Sequence, residues 1–167
     1  ILYNLLIDMK KRVYIFDIDD TLITHTGDNN DYYKMENDST LKNLIESLNT
    51  DGLYIYTNGT YGHGVSVIKN LQLTNTINDL FARDTIPFMK PYPESFDFVQ
   101  GVIRKQMNTF DIEYLFFDDL LDNLKTAKGL GWTTVWINER PSTKEKYVDL
   151  SFTNIYQALL NLSLRGF

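Results

Sequence analysis

Four polar clusters in this 167-residue chain carry residue types that could do chemistry: Asp17-Ile18-Asp19-Asp20-Thr21, Thr57-Asn58-Gly59, Lys90 and Asp118-Asp119. Asp17 and Thr57 are 40 residues apart, Thr57 and Lys90 33, and Lys90 and Asp118 28. Each interval is long enough for a crossover between parallel strands. Carboxylates held together repel: at about 4 Å, two charges oppose each other by roughly 4 kcal/mol at an effective dielectric of about 20. A cation relieves that repulsion. Hard oxygen donors with no His or Cys cluster suit Mg²⁺, which takes one or two carboxylates plus waters and phosphate oxygens. Lys90 adds a fixed positive charge and Thr57 a hydroxyl. The backbone amides of Asn58 and Gly59 are the type of group that binds phosphate oxygens. Brought together, these groups make a site for an anionic, phosphate-bearing substrate.

Something must bring them together, and the rest of the chain supplies it. Val13–Ile18 is a short apolar run, rich in β-branched and aromatic residues, and reads as a buried strand. Leu53–Tyr56, Glu113–Phe117 and Thr133–Ile137 read the same way, and Asp84–Phe88 as a shorter strand. Leu41, Leu44, Ile45 and Leu48 recur at helical spacing behind a capping stretch, Asp38-Ser39-Thr40. Further helices are expected around Val65–Leu71, from Pro91/Pro93 to about Met107, over Leu120–Leu130 and over residues 154–163. Strands alternating with helices predict a three-layer α/β, Rossmann-like fold with a mainly parallel sheet. In such sheets ligands bind beyond the carboxyl ends of the strands, where the polar clusters are expected.

The clusters, in order, resemble a known family. FDIDDTL (Phe16–Leu22), YTNG (Tyr56–Gly59), MKPYPESF (Met89–Phe96) and FFDDLLDNLKTAKGLGWTTVWI (Phe116–Ile137) resemble the four motifs of the haloacid dehalogenase (HAD) superfamily, across roughly Val13 to Ile137. The resemblance implies an HAD-like hydrolase fold and a Mg²⁺-dependent phosphatase working through an aspartyl-phosphate. By it, Asp17 is the nucleophile and Asp19 the general acid/base. Thr57 and Lys90 hold the transferring phosphoryl, with Asn58 and Gly59 at the substrate. Mg²⁺ is bound by Asp17, the Asp19 backbone carbonyl and Asp119, with Asp118 as a further ligand, directly or through water. Within the superfamily, TNGTYGH, MKPYPESF and the Asp118, Asp119, Asn123 pattern are similar to the pyrimidine 5′-nucleotidase subgroup, which implies a nucleotide substrate.

That subgroup inserts a sizeable cap between the first two motifs. Here the interval also contains a core helix, so residues 23–38 are expected to form only a short flap. A minimal cap implies an open site, which accepts a larger substrate or takes a lid from a neighbouring copy in a homo-oligomer. The alternatives are a phosphatase for a macromolecular phosphate, phosphoprotein or polynucleotide end, and a catalytically idle HAD-like scaffold that binds a partner.

Composition narrows the classes further. Hydrophobic residues are 43% and charged residues 23% of the chain, the balance of a globular domain. The length suits a single domain, 1–167, with residues 1–12 expected as an N-terminal extension. A net charge of −6 gives no general attraction to nucleic acid or anionic membrane. The absence of cysteine excludes disulfides, thiolate metal sites and cysteine nucleophiles. Ile1–Ile7 is too short an apolar run to span a bilayer and lacks secretory-signal features, so a cytoplasmic protein with no membrane partner is expected. His63, beside the second cluster, reads as a capping or packing residue, and His25 as a flap residue. Tyr32 and Tyr33 read as packing the flap on the core, with nucleobase stacking as the alternative.

Overall fold

In a computed structural model, residues 10–24 and 39–167 are described. His25, Tyr32, Tyr33, Asp38 and most of the expected flap lie outside them. The elements run β1 (Lys11–Phe16), α1 (Thr40–Glu46), β2 (Gly52–Tyr56), α2 (Tyr61–Asn70), β3 (Asp79–Phe81), α3 (Pro93–Met107), β4 (Ile112–Asp118), α4 (Leu121–Gly129), β5 (Thr133–Ile137), β6 (Leu150–Phe152) and α5 (Ile155–Leu164). The strands form one parallel sheet in the order β3-β2-β1-β4-β5-β6. The chain builds outward from β1 to β3, then returns to the other side of β1 for β4 to β6. The direction of winding thus switches between β1 and β4, and the crevice above that switch is where an open α/β sheet binds ligand.

The apolar runs become strands because they are covered on both faces. Tyr14 and Phe16 point into one core cluster with Ile45, Val67 and Leu159 from α1, α2 and α5. Val13 and Ile15 point into the opposite cluster with Phe96, Val99 and Ile103 from α3 and Leu124 and Ala127 from α4. Two helical layers therefore enclose the sheet. Aromatic rings stiffen it below the site: Phe16 and Phe117, neighbours on β1 and β4, stand 4.7 Å apart between centroids. Phe96 meets Phe116 edge-on at 5.7 Å.

The structure corrects three sequence expectations. β3 is Asp79–Phe81, not Asp84–Phe88. Its identity is set by parallel pairing with β2, Tyr54 against Asp79, which the local run of apolar residues does not reveal. Residues 84–88 instead form a turn in which Thr85 N and Ile86 N donate to the Ala82 carbonyl. Second, β1 begins at Lys11, so Lys11 and Arg12 belong to the sheet rather than to an extension. Acidic neighbours hold these polar residues in place, with Lys11 Nζ 3.0 Å from Asp51 and Arg12 Nε 2.6 Å from Glu113. Third, β6 is an added edge strand, short and half-buried, which carries too weak a pattern to be seen in sequence. Ile23, expected at the start of the flap, is buried in the core. Among the described residues, no helix is long and apolar enough to cross a membrane.

Candidate active site

Strand register places the first two carboxylates. Phe16 pairs with Phe117 across β1 and β4, so Asp17 and Asp118 are the next residues on each side of the switch. Asp17 N donates to the Phe117 carbonyl at 2.9 Å, which holds Asp17 at the strand end. The chain then turns sharply: Thr21, Leu22 and Ile23 all donate backbone N–H groups to the Ile18 carbonyl. Asp20 adopts φ 59°, a left-handed conformation that Asp tolerates better than most residues. This turn brings Asp19 to the pocket beside Asp17.

The second cluster sits beyond β2. Thr57 N donates to the Phe81 carbonyl at 2.9 Å, and Thr57 is buried. Its Oγ1 accepts from Gly59 N at 2.9 Å. The Gly59 amide, expected at the substrate, is therefore engaged within the loop. Gly59 instead supplies space: a Cβ there would come within 3.0 Å of the His63 ring and 3.2 Å of Thr57 Oγ1. The Asn58 side chain closes two bonds with the backbone of one residue, Nδ2 donating to the Lys90 carbonyl at 2.9 Å and Oδ1 accepting from Lys90 N at 3.0 Å. That clamp explains how Lys90, in the loop before α3 rather than at a strand end, reaches the site.

Lys90 is buried at the centre of the cluster, 3% exposed. Its ammonium donates to Asp118 Oδ2 at 2.7 Å, to the Tyr56 carbonyl at 2.8 Å and to Asp17 Oδ1 at 2.9 Å. All three N–H donors of the group are thus met by the protein. Asp118 is equally occupied. Oδ1 accepts from Leu120 N at 2.8 Å, Oδ2 accepts from Lys90, and Asn123 Nδ2 reaches both oxygens at 3.0 Å. These three donors make four contacts, Asn123 Nδ2 being shared between the two oxygens. Asp118 braces Lys90 and does not line the pocket as Asp17, Asp19 and Asp119 do, yet one of its oxygens stays within 4.8 Å of oxygens of Asp17 and Asp119. The bracing role of Asn123 was not visible in the sequence, where it appeared only as part of a pattern.

The pocket at the switch has a volume of about 360 Å³. Asp20 and Asp119 also line a neighbouring cavity of about 440 Å³ at the ends of β5 and β6, with Asn138, Arg140, Asn154 and Tyr156. Asp119 is fixed through its backbone, the carbonyl accepting from Trp136 Nε1 at 2.8 Å. His63, expected to cap or pack, places its ring on the site: Nε2 lies 3.0 Å from Asp19 Oδ1.

Electrostatics test whether this donor set suits a cation. Burial pushes the Asp17 carboxyl up to about 7 despite the opposing pull of Lys90, with Asp118 and Asp119 adding to the rise. Burial and the Asp118 charge push Asp119 up to about 6. Burial pulls Lys90 down, but Asp118 and Asp17 outweigh it and hold the ammonium above its ordinary value. Oxygens of Asp17, Asp118 and Asp119 lie within 4.8 Å of one another. A single ammonium is too little charge for such a cluster, and the donors are hard oxygens, so the set fits Mg²⁺.

The sign of the pH effect follows. Both carboxyls titrate higher in the folded chain than the ordinary value of 3.8, so folding disfavours their ionised forms. Metal-free protein is fully stabilised by these groups below that value and loses the contribution as pH rises through about 6 and 7. Metal-free melting temperature is therefore expected to fall from pH 5.5 to pH 7.5. At pH 7.5, Mg²⁺ at a hundredfold excess over its dissociation constant should add about 2.7 kcal/mol. For a domain of this size that is roughly 5–10 °C. The gain should shrink at pH 5.5, where protons compete, and vanish in Asp119→Asn. Thermal melts with and without Mg²⁺ at the two pH values measure all three. Asn123→Ala, which removes one of the three donors on buried Asp118, should cost about 1–3 kcal/mol in denaturant melts.

No family model matches the chain, and no curated protein matches it. Solved structures do. The chain is similar to an HAD-superfamily hydrolase from Ehrlichia chaffeensis (TM-score 0.66, 16% identity, covering 94% of this chain and 98% of that one). It is similar to YfnB, a magnesium-bound HAD-hydrolase from Bacillus subtilis (TM-score 0.65, 15% identity, 92% and 99%). It is also similar to the L-2-haloacid dehalogenase of Xanthobacter autotrophicus, solved with chloropropionic acid covalently bound (TM-score 0.64, 12% identity, 95% and 100%). At these identities the likeness is one of fold: the chain has the six-stranded parallel α/β architecture found in HAD-superfamily hydrolases.

Proposed function

We propose that the protein is a Mg²⁺-dependent phosphatase that hydrolyses a phosphomonoester through an aspartyl-phosphate on Asp17. The observation that carries this reading is the convergence of Asp17, Asp19, Thr57 and Asp119 on one pocket at the switch point, with Lys90 locked beneath. Asp17 and Asp119, with the Asp19 backbone carbonyl, would hold the cation. When bound, it offsets the negative charge of the carboxylates and of the phosphoryl oxygens.

The chain's own residues divide the remaining work. The Asp17 carboxylate attacks phosphorus, the bond to the ester oxygen breaks, and Asp19 gives that oxygen a proton. Water then attacks the aspartyl-phosphate as Asp19 takes its proton back, releasing inorganic phosphate and restoring Asp17. Thr57 Oγ1 accepts from Gly59, which leaves its hydroxyl hydrogen to donate to a phosphoryl oxygen. Lys90 fixes the Asp17 carboxylate and is itself held by Asp118.

Similar folds occur in dehalogenases, so leaving-group chemistry matters. A departing halide needs no proton, whereas an alkoxide does, and an acid at Asp19 serves only the second. Similarity to the pyrimidine 5′-nucleotidase motifs makes a nucleotide the favoured ester. A macromolecular phosphate is the competing substrate. Turnover of 4-nitrophenyl phosphate with and without Mg²⁺ tests the class, and hydrolysis must require the metal. A panel of nucleotides, sugar phosphates, phosphopeptides and end-phosphorylated oligonucleotides then ranks the esters. Lowest efficiency on nucleotides would overturn the nucleotide preference.

A further inference from the structure

His63 is the third residue of α2, and its ring is aimed at the first strand's turn, 44 residues away in sequence. Two anchors set that aim. The N-cap Thr60 accepts from His63 N through Oγ1, fixing the backbone at the helix start. Gly59 leaves room for the ring: a Cβ there would stand 3.0 Å from His63 Cδ2, 3.2 Å from Thr57 Oγ1 and 3.7 Å from Asp19 Oδ2. Three side chains thus crowd around a residue that has none. Asp19 Oδ1 is turned to the imidazole at 3.0 Å, and Oδ2 lies on the side of Gly59 and Thr57, the side of the pocket.

We propose that His63 is a positioning residue for Asp19, the group that protonates the departing ester oxygen. The inference rests on the phosphatase reading above and adds what holds its proton donor in place. With hydrogen on Nε2, the ring donates to Oδ1 whether Asp19 is a carboxylate or an acid. The transferable proton is then confined to Oδ2, facing the ester oxygen. The Asp19 side chain is one-third exposed, so burial alone does not hold it to one rotamer. A displaced proton donor loses most of its effect, since misplacement by about 1 Å costs about 100-fold. A tethered acid repays its ordering only where the leaving group is a poor one. An aryl oxyanion such as 4-nitrophenolate departs unaided.

The test compares two esters of similar shape, 4-nitrophenyl phosphate and benzyl phosphate, by kcat/KM, which reports the step in which the ester oxygen leaves. In His63→Ala, kcat/KM for benzyl phosphate should fall about 100-fold, and that for 4-nitrophenyl phosphate about 10-fold less than this. His63→Gln keeps an N–H at similar reach and should recover most of the loss on benzyl phosphate. It also serves as the readout if the alanine variant fails to fold. Adding His63→Ala to Asp19→Asn should cause little further loss, because both act through one group. Equal losses on the two esters, or no recovery with Gln, overturn the positioning role. Wild-type protein active on 4-nitrophenyl but not benzyl phosphate, so that no held acid assists departure, also overturns the positioning role. Wild-type protein inactive on both with Mg²⁺ overturns the phosphatase reading, and this inference with it.

Discussion

Asp17→Asn is expected to remove at least about 10³-fold of the turnover of 4-nitrophenyl phosphate and to leave the molecule folded, since on the proposed mechanism that one group forms the covalent intermediate. The structure gives the second half of that expectation its sign. Asp17 is 7% exposed, and burial pushes its carboxyl up to about 7, so the ionised form is disfavoured at neutral pH. Asparagine has the same shape and no charge. Lys90 keeps its bonds to Asp118 and to the Tyr56 carbonyl. Metal-free Asp17→Asn should therefore melt at or above the wild-type temperature at pH 7.5. A variant that is both inactive and markedly less stable would show that Asp17 is a structural residue. Parallel kinetics and thermal melts separate the two.

Lys90→Met has the largest effect on stability. The substitution strands Asp17 and Asp118 as neighbouring buried carboxylates. Removing one partner from a buried ion pair costs about 3–5 kcal/mol, for this size of domain roughly 6–20 °C of melting temperature. Turnover is lost too, since the Asp17 carboxylate loses the 2.9 Å bond from Lys90 and keeps a long one of 3.4 Å from Thr21 Oγ1. The double variant Lys90→Met/Asp118→Asn separates the two losses. It removes one of the stranded charges and should regain part of the stability with none of the turnover. Recovery of turnover in the double variant would contradict the bracing role of Lys90. Denaturant melts and turnover on the same preparations decide it.

The four central strands were legible because they are buried on both faces. β1, β2, β4 and β5 read as unbroken apolar runs, which a parallel sheet between two helical layers requires. The convergence of Asp17, Asp19, Thr57 and Asp119 was also legible, because residues at the ends of neighbouring parallel strands must meet and the spacing allowed crossovers between them, whereas Lys90 arrives from a loop that Asn58 clamps. What stayed hidden depends on partners far apart in sequence. β3 lies at Asp79–Phe81 because pairing with Tyr54–Tyr56 of β2 chose it over the Asp84–Phe88 stretch that follows. The bracing role of Asp118 was hidden as well, because a carboxylate's type does not tell which donors surround it. Only the fold shows Asn123, Leu120 and Lys90 filling its oxygens. The same holds for Asn58, whose side chain serves Lys90 across 32 residues, and for His63, whose ring crosses to Asp19.

Quenching turnover in acid with a ³²P-labelled phosphomonoester, followed by peptide mapping, tests the central claim most directly. The account predicts one acid-stable, hydroxylamine-labile phosphoryl group on the peptide containing Asp17. It should form only with Mg²⁺ and be absent from Asp17→Asn. Label on another residue, or rapid hydrolysis with no covalent label at any quench time, would contradict it.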